Sequence, residues 1–259
     1  GGSYNGSDQA ALATLNPSHL ATMVISVGAS NYYHSSMRHN GALEQRFLIY
    51  AFNMAITSKE AEADPSLRTA LQDFFTKELD DIVRKFPLKE GSTVLRRLPS
   101  YEKWAIDILT TGEYTEYWKQ RGYAISEYYD EHADVPTLYL GGWYDSYARN
   151  TCDSYEMLSK MKKSPQHLLM GPWTHGGFEV TYAGDLEFGT ESPINQNDVH
   201  LAWFDYYLKG MVTEVSEWSP VQIFTMGKGK YKFDSDQGIK VFGSANVISA
   251  PTSDRVNHG

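Results

Sequence analysis

Two parts of the chain alternate short apolar runs with helical patterns. The runs are Ala21–Gly28, Val135–Gly142 and His167–Gly171, and each ends in glycine. Short runs of this kind are typical of buried parallel strands. Thr151–Lys163 has apolar residues on one helical face and separates two of the runs. A strand, a helix and a strand form a βαβ unit, which predicts an α/β fold with a parallel sheet. The same periodicity predicts further helices over Asp8–Leu15 and Asn197–Leu208.

The segment from about 31 to 134 has a different pattern. Apolar residues recur at helical spacing over 43–55 and again over 65–86. Shorter helical patterns follow at Tyr101–Leu109 and Tyr114–Arg121. The segment shows no clear strand pattern, which predicts a helical subdomain that packs on itself. A sharper hypothesis makes this subdomain a lid over a site.

Composition and charge argue against several classes of protein. The 259 residues include 32 acidic and 23 basic side chains, so the formal charge of −9 disfavours a nucleic-acid surface. The apolar runs are shorter than ten residues, whereas a membrane-spanning helix needs about 20. The single cysteine, Cys152, excludes an internal disulfide framework and a cysteine-based zinc cluster. Because the chain does not begin with Met, it is interpreted as a fragment, which leaves a signal peptide and the compartment open.

Residues with catalytic chemistry follow the predicted strands. Ligands of a parallel α/β sheet bind beyond the carboxyl ends of its strands. Asp145 and His175 occupy such positions, and Ser3 lies between glycines just ahead of the first predicted helix. A serine becomes a nucleophile when a histidine accepts its proton and an acid orients that histidine. The chain order Ser, Asp, His is that of α/β-hydrolases.

The glycine spacing around Ser3 departs from the general pattern. The nucleophile elbow of α/β-hydrolases is usually G-x-S-x-G, whereas this chain begins Gly-Gly-Ser-Tyr-Asn-Gly. The second glycine therefore comes one residue late, at Gly6. Taken alone, this stretch is weak evidence for a nucleophile. Together with Asp145 and His175 at the ends of later strands, it favours Ser3 as the nucleophile.

Four motifs resemble those of the Xaa-Pro dipeptidyl-peptidase-like hydrolases. They are GGSYNG at 1–6, GWYD at 142–145, GPWTHG at 171–176 and WFDYYLKG at 203–210. Within that superfamily the chain is most similar to the CocE/NonD group, which contains cocaine esterase, α-amino-acid ester hydrolases and glutaryl-cephalosporin acylases. The elbow of this family is G-x-S-Y-x-G, so the displaced glycine fits it. The resemblance spans roughly residues 1 to 227.

The resemblance implies an α/β-hydrolase fold with a helical cap and a C-terminal jelly roll. It predicts core segments at 1–30 and 135–215, a cap insertion at 31–134, and the start of a truncated jelly roll at 216–259. The first strands of the sheet would then precede Gly1. The polar tail from Gly243 is predicted to be disordered or truncated.

The resemblance also implies a role for each site residue. Ser3 would be the nucleophile, Asp145 the orienting acid and His175 the general base. The backbone N–H of Tyr4 would be one oxyanion donor, and a tyrosine hydroxyl from a segment before Gly1 would be the second. Loss of one such donor costs about 2.7–4 kcal/mol in barrier height. This predicts that the complete protein is an active hydrolase, whereas this chain alone is poorly folded or inactive.

Several neighbouring residues have two interpretations. Trp143 and Trp173 flank the acid and the base, either as walls of an apolar acyl pocket or as core packing. His34 would line the pocket mouth; a metal role is disfavoured because no H-E-x-x-H or similar pattern occurs. Arg149 is predicted to make a structural ion pair. Asp153, on the predicted crossover helix, is interpreted as a solvated residue rather than the catalytic acid.

The sequence therefore predicts a serine hydrolase that cleaves an ester or amide through an acyl-enzyme on a Ser-His-Asp triad. No cofactor and no metal are implied. The expected partner is a small ester or amide, or a peptide, with no nucleic acid and no membrane; the oligomeric state stays open. One alternative is an Xaa-Pro dipeptidyl-peptidase or aminopeptidase. An alternative of another class is a non-catalytic fragment or interaction module.

Overall fold

The protein forms two compact units. A computed structural model describes residues 1–84 and 88–226, and the backbone of a strand at 239–244. The first unit contains residues 1–31 and 121–259, and the second contains residues 32–120. Residues 121–134, which the sequence assigned to the insertion, therefore belong to the first unit. Their apolar side chains explain this difference, because Ile125, Tyr129 and Ala133 are buried in the core of that unit.

The helices and strands are numbered in chain order. They are α1 (Tyr4–Ala13), β1 (Met23–Ser26), α2 (Tyr32–Ser35), β2 (Arg38–His39), β3 (Ala42–Leu43), α3 (Gln45–Ile56), α4 (Lys59–Ala63), α5 (Pro65–Asp73), α6 (Leu79–Arg84), α7 (Pro99–Thr110), β4 (Thr137–Tyr144), α8 (Ala148–Met161), β5 (Gln166–Thr174), β6 (Tyr182–Ala183), β7 (Leu186–Glu187), α9 (Gln196–Lys209), β8 (Val221–Thr225) and β9 (Ile239–Ser244). A π-helical turn joins α5 to α6 at Phe74–Glu78, and 3-10 turns occur at Val94–Arg97, Ile125–Tyr128 and Glu214–Glu217.

A parallel sheet organises the first unit, which we call the α/β unit. Its strand order is β1-β4-β5-β8-β9, and every neighbouring pair is parallel. β1 is buried along its whole length and β4 over Thr137–Gly142, as expected for strands covered on both faces. The α/β class and the parallel sheet predicted from the sequence are therefore confirmed.

β8 differs from its predicted assignment. The sequence placed residues 216–259 in a following jelly roll, but Val221, Gln222 and Ile223 pair in parallel with Leu168–Met170 of β5. β8 is thus a strand of the α/β sheet, and α9 lies between the two strands in the chain, where a parallel connection requires a crossover. A short apolar run does not distinguish these two kinds of strand. The rest of the predicted jelly roll lies outside the described residues, apart from β9.

The second unit, which we call the helical unit, is built on helix packing. Its core contains Leu48, Ala51, Phe52, Ala55, Ala61, Leu67, Leu71, Phe74, Leu95, Leu98 and Ala105. Phe52 of α3 stacks on Phe74, with ring centroids 3.6 Å apart. Two features differ from the prediction. Arg38–Leu43 forms a short hairpin, and Tyr114–Arg121 forms turns rather than a helix, with the indole N–H of Trp118 donating to Thr111 O at 2.7 Å.

Candidate active site

Ser3 lies in a strained turn at the end of β1. Its φ of 56° and ψ of −126° are rare for a residue with a side chain. The Ser3 N–H donates to Ser26 O at 2.8 Å, and the Ser26 N–H donates to Gly1 O at 3.0 Å. These bonds fix the turn beside the last residue of β1. Ser3 is also the N-cap of α1, yet its side chain caps no backbone N–H, so its hydroxyl serves another partner.

The displaced glycine of the elbow has a structural reason. A methyl group at Gly6 would lie 3.0 Å from Gly1 O and 3.2 Å from Ser26 O. A methyl group at Gly28, just after β1, would lie 3.1 Å from the carbonyl carbon of Gly6. α1 therefore approaches the end of β1 so closely that neither position accepts a side chain without movement. The spacing G-x-S-Y-x-G places the second glycine at this contact.

Asp145 follows β4 directly, and its carboxylate lies at one end of the candidate site. Its side chain is fully buried. Its Oδ1 accepts the Tyr147 N–H at 2.7 Å, and its Oδ2 lies 2.7 Å from His175 Nδ1. Both carboxylate oxygens therefore have a donor, as a buried carboxylate requires. Asp153 forms an exposed ion pair with Arg149 at 3.2 Å instead, as the sequence predicted for Arg149.

His175 follows β5 directly and connects the other two residues. Its Nε2 lies 2.9 Å from Ser3 Oγ, while its Nδ1 faces Asp145. An ionised carboxylate only accepts hydrogen bonds, so Nδ1 carries the proton and Nε2 presents its lone pair to the serine. The imidazole can thus take the Ser3 proton while the carboxylate balances the new charge. The structure brings together the three residues that the sequence singled out.

Two glycines within β4 and β5 make room for Trp173. A methyl group at Gly142 would overlap the Trp173 carbonyl, and one at Gly171 would overlap its indole ring. Trp173 is fully buried, and its indole N–H donates to Ser192 O at 2.7 Å. For Trp173, this burial favours core packing, one of the two interpretations left open by the sequence. Trp143 is half-buried, and its indole N–H donates to Phe224 O at 3.1 Å.

His34 belongs to the helical unit. Its Nδ1 lies 3.2 Å from Asn40 Oδ1, and its ring contacts those of Tyr33 and Tyr114. Its assignment to the pocket mouth stays a prediction. No group of three or more potential metal-binding side chains occurs among the described residues.

A buried polar cluster that the sequence reasoning missed fixes the loop after β1. The side chain of Asn150, on α8, accepts three bonds through Oδ1: from the N–H and hydroxyl of Ser30 at 2.9 and 3.0 Å, and from the N–H of Asn31 at 2.9 Å. Ser7 of α1 accepts the Ala29 N–H at 2.8 Å. This loop is therefore tied to the helix after Ser3 and to the helix after Asp145. The signal in the sequence was that Ser7 and Asn150, two small polar residues, lie on helices that pack against the sheet.

Tyr4 is the first residue of α1, so its N–H belongs to the N-terminus of that helix. Aligned peptide dipoles make a helix N-terminus favourable for negative charge. The neighbouring N–H groups of Ser3 and Asn5 already donate to Ser26 O and Gly2 O. The position of Tyr4 is therefore compatible with the predicted oxyanion role.

Comparison with known proteins gives one family match. The model of a family described as X-Pro dipeptidyl-peptidase (S15 family) matches residues 1–177. Among curated proteins, the chain is similar to cocaine esterase from Rhodococcus sp. (strain MB1 Bresler), with 27% identity over 105 residues. The matched part is 39% of this chain and 18% of the esterase.

Solved structures share the fold of the chain at low identity. An aminopeptidase from a marine sediment Thaumarchaeota archaeon has a TM-score of 0.56 at 20% identity, covering 82% of this chain and 35% of that one. An α-amino acid ester hydrolase has a TM-score of 0.53 at 18% identity, covering 86% and 36%. The chain thus spans about a third of the length of these structures. At such identities the likeness shows the fold alone.

Among the described residues, no helix is long and apolar enough to cross a bilayer.

Proposed function

The chain belongs to the X-Pro dipeptidyl-peptidase (S15) family of serine hydrolases, whose model matches more than half of it, and we propose that Ser3, His175 and Asp145 are its catalytic triad. The observation that supports this most directly is the hydrogen-bonded series from Ser3 Oγ through His175 to Asp145, with distances of 2.9 and 2.7 Å. The strained φ of Ser3 supports it independently, because such strain is typical of a nucleophile elbow.

The proposed reaction is acyl transfer to Ser3 and then to water. Ser3 Oγ attacks the carbonyl carbon of an ester or amide while its proton moves to His175 Nε2. The tetrahedral oxyanion is stabilised by the backbone N–H of Tyr4. Its collapse breaks the bond to the leaving group, which takes the proton from His175 and leaves an acyl-enzyme. Water then attacks the acyl group with His175 again as base, and this step releases the acid and restores the Ser3 hydroxyl.

The proposed substrates are small esters or amides. A cocaine esterase and an α-amino acid ester hydrolase are among the similar proteins. A second candidate is release of dipeptides, because the family model carries the name of an X-Pro dipeptidyl-peptidase. A peptidase of this type recognises a free N-terminal amine. Turnover of a free-amine Xaa-Pro substrate but not of its N-blocked form would favour the second candidate over the first.

The triad is tested by intact-mass analysis after incubation with a fluorophosphonate, which reacts with activated serines. The sequence predicted that this chain alone would be poorly folded or inactive. Because its three site residues are hydrogen-bonded to one another in the structure, we instead expect one adduct on the wild type, no adduct on Ser3→Ala, and the adduct retained on Ser7→Ala. Ser7 is a matched control because it lies on the same helix and serves the loop after β1. A wild-type chain that melts cooperatively but takes no adduct would contradict the proposal and favour a non-catalytic module. An unchanged adduct on Ser3→Ala would assign the reactive residue elsewhere.

A further inference from the structure

Tyr147 lies against the imidazole of His175 and has no part in the reaction described above. It is buried and is the N-cap residue of α8, two positions after Asp145. We propose that Tyr147 is a positioning residue for His175: its ring holds the imidazole in line with Asp145. This inference rests on the proposed function, since it assumes that His175 is the base.

The backbone of Tyr147 is fixed on both sides. Its N–H donates to Asp145 Oδ1 at 2.7 Å. Its carbonyl accepts the N–H of Thr151 at 2.9 Å and the Thr151 hydroxyl at 3.0 Å. Thr151 is itself buried in the first turns of α8. Because one residue both binds the carboxylate and carries the ring, the ring has a defined position relative to the Asp145–His175 pair.

The ring of Tyr147 is in contact with the base. The centroids of the Tyr147 and His175 rings are 5.4 Å apart, with an angle of 51° between the planes. His175 lies in a turn in which the Gly177 N–H donates to Thr174 O at 3.0 Å. The His175 side chain is one-third exposed. The buried Tyr147 ring therefore restricts this partly exposed side chain from one side.

This restriction becomes more important during the proposed reaction. In the free enzyme His175 is held at both nitrogens, by Ser3 Oγ and by Asp145. In the acyl-enzyme, the Ser3 oxygen is part of an ester and has no proton to share. Of its contacts with the described residues, the imidazole then keeps its bond to Asp145 and its contact with Tyr147. Tyr147 is thus expected to affect the rate of the chemical step rather than substrate binding.

The test is the rate of fluorophosphonate labelling, measured at a pH where the wild-type rate has reached its plateau. We expect Tyr147→Phe, which keeps the ring, to label within twofold of the wild type. Tyr147→Leu, which leaves the imidazole less well oriented, should lower the plateau rate about fivefold. The control is Tyr155→Leu on the same helix, whose ring contacts Tyr139 and not the base; it should label like the wild type.

Two labelling results would overturn the proposed role of Tyr147. A folded Tyr147→Leu that labels at the wild-type plateau rate would overturn it. Equal losses in Tyr147→Phe and Tyr147→Leu would also overturn it, because the hydroxyl rather than the ring would then be responsible. If Tyr147→Leu does not fold, Tyr147→Met, which also lacks a ring, is measured under the same two criteria. Failure of the proposed function is distinct, since the wild type itself would then show no Ser3-dependent adduct, and the inference would fall with it.

Discussion

The two units use their polar side chains for different purposes. In the α/β unit, Ser3, Asp145 and His175 bind one another at the ends of strands, at the cost of a strained backbone at Ser3. In the helical unit, Ser58 caps α4 and Asp64 caps α5, so these two side chains bond backbone N–H groups. The candidate site instead combines a strained backbone with polar side chains that bond one another.

Backbone conformation follows the same division. Val27, just after β1, has a φ of 46°, which is unfavourable for a β-branched residue. In the helical unit the positive-φ residue with a side chain is Asn40, beside Gly41 in a hairpin turn, where such residues are common. In the part of the chain that the structure describes, β-branched strain therefore lies in the α/β unit. The comparison predicts that polar changes there affect activity, whereas apolar changes in the helical unit affect stability.

The largest expected effect is on activity in the α/β unit. Asp145→Asn should lower the fluorophosphonate labelling rate about 10⁴-fold, because the amide no longer holds the His175 tautomer that accepts the serine proton. Asp153→Asn is the matched control, since this exposed carboxylate pairs with Arg149, and it should label normally. Equal labelling rates for the two variants would contradict the assignment of Asp145, rather than Asp153, as the catalytic acid.

A core truncation in the helical unit should come next. Phe74→Ala removes the ring that stacks on Phe52, and the free energy of unfolding should fall by about 3–5 kcal/mol. Phe75→Ala is the control, because Phe75 is only partly buried and should cost clearly less. Denaturant unfolding measures both. A larger loss for Phe75→Ala would mean that the core of this unit is not where the structure puts it.

Removal of the buried loop anchor should have a smaller effect. Asn150→Ala leaves the N–H groups of Ser30 and Asn31 without their acceptor, which should cost about 1–3 kcal/mol in unfolding free energy. Asn53→Ala, at an exposed position of α3 in the other unit, should change stability by less than about 0.5 kcal/mol. An unchanged free energy of unfolding in Asn150→Ala would show that other contacts hold the loop after β1.

The smallest effect is a pH dependence of stability. Burial lowers the pKa of His132, and likewise that of His167. Below the ordinary histidine pKa of about 6.5, these histidines bind more protons in the unfolded chain than in the folded chain. The free energy of unfolding therefore falls as the pH is lowered through this range. Thermal melts between pH 7.5 and 5.5 measure the slope, and His132→Gln should reduce it. A slope unchanged in His132→Gln would mean that this histidine does not contribute.

Local pattern was sufficient for much of the α/β unit. The runs at 21–28, 135–142 and 167–171 all contain strands, because short β-branched and apolar stretches are recognisable without tertiary information. Helix α1 begins at Tyr4 rather than at the predicted Asp8. Its first turn is part of the elbow, where contacts with β1 decide the backbone and helical periodicity gives no signal.

The sequence by itself determined the class of the sheet, the order of the three polar residues and, through the four motifs at 1–6, 142–145, 171–176 and 203–210, the family. These features are local in the chain or depend only on order. The tertiary structure alone decided the contacts between residues that are distant in the sequence. It buried Trp173, placed β8 in the parallel sheet, and put Tyr147 against His175. Such contacts join residues far apart in sequence or depend on side-chain direction, and neither periodicity nor composition encodes them.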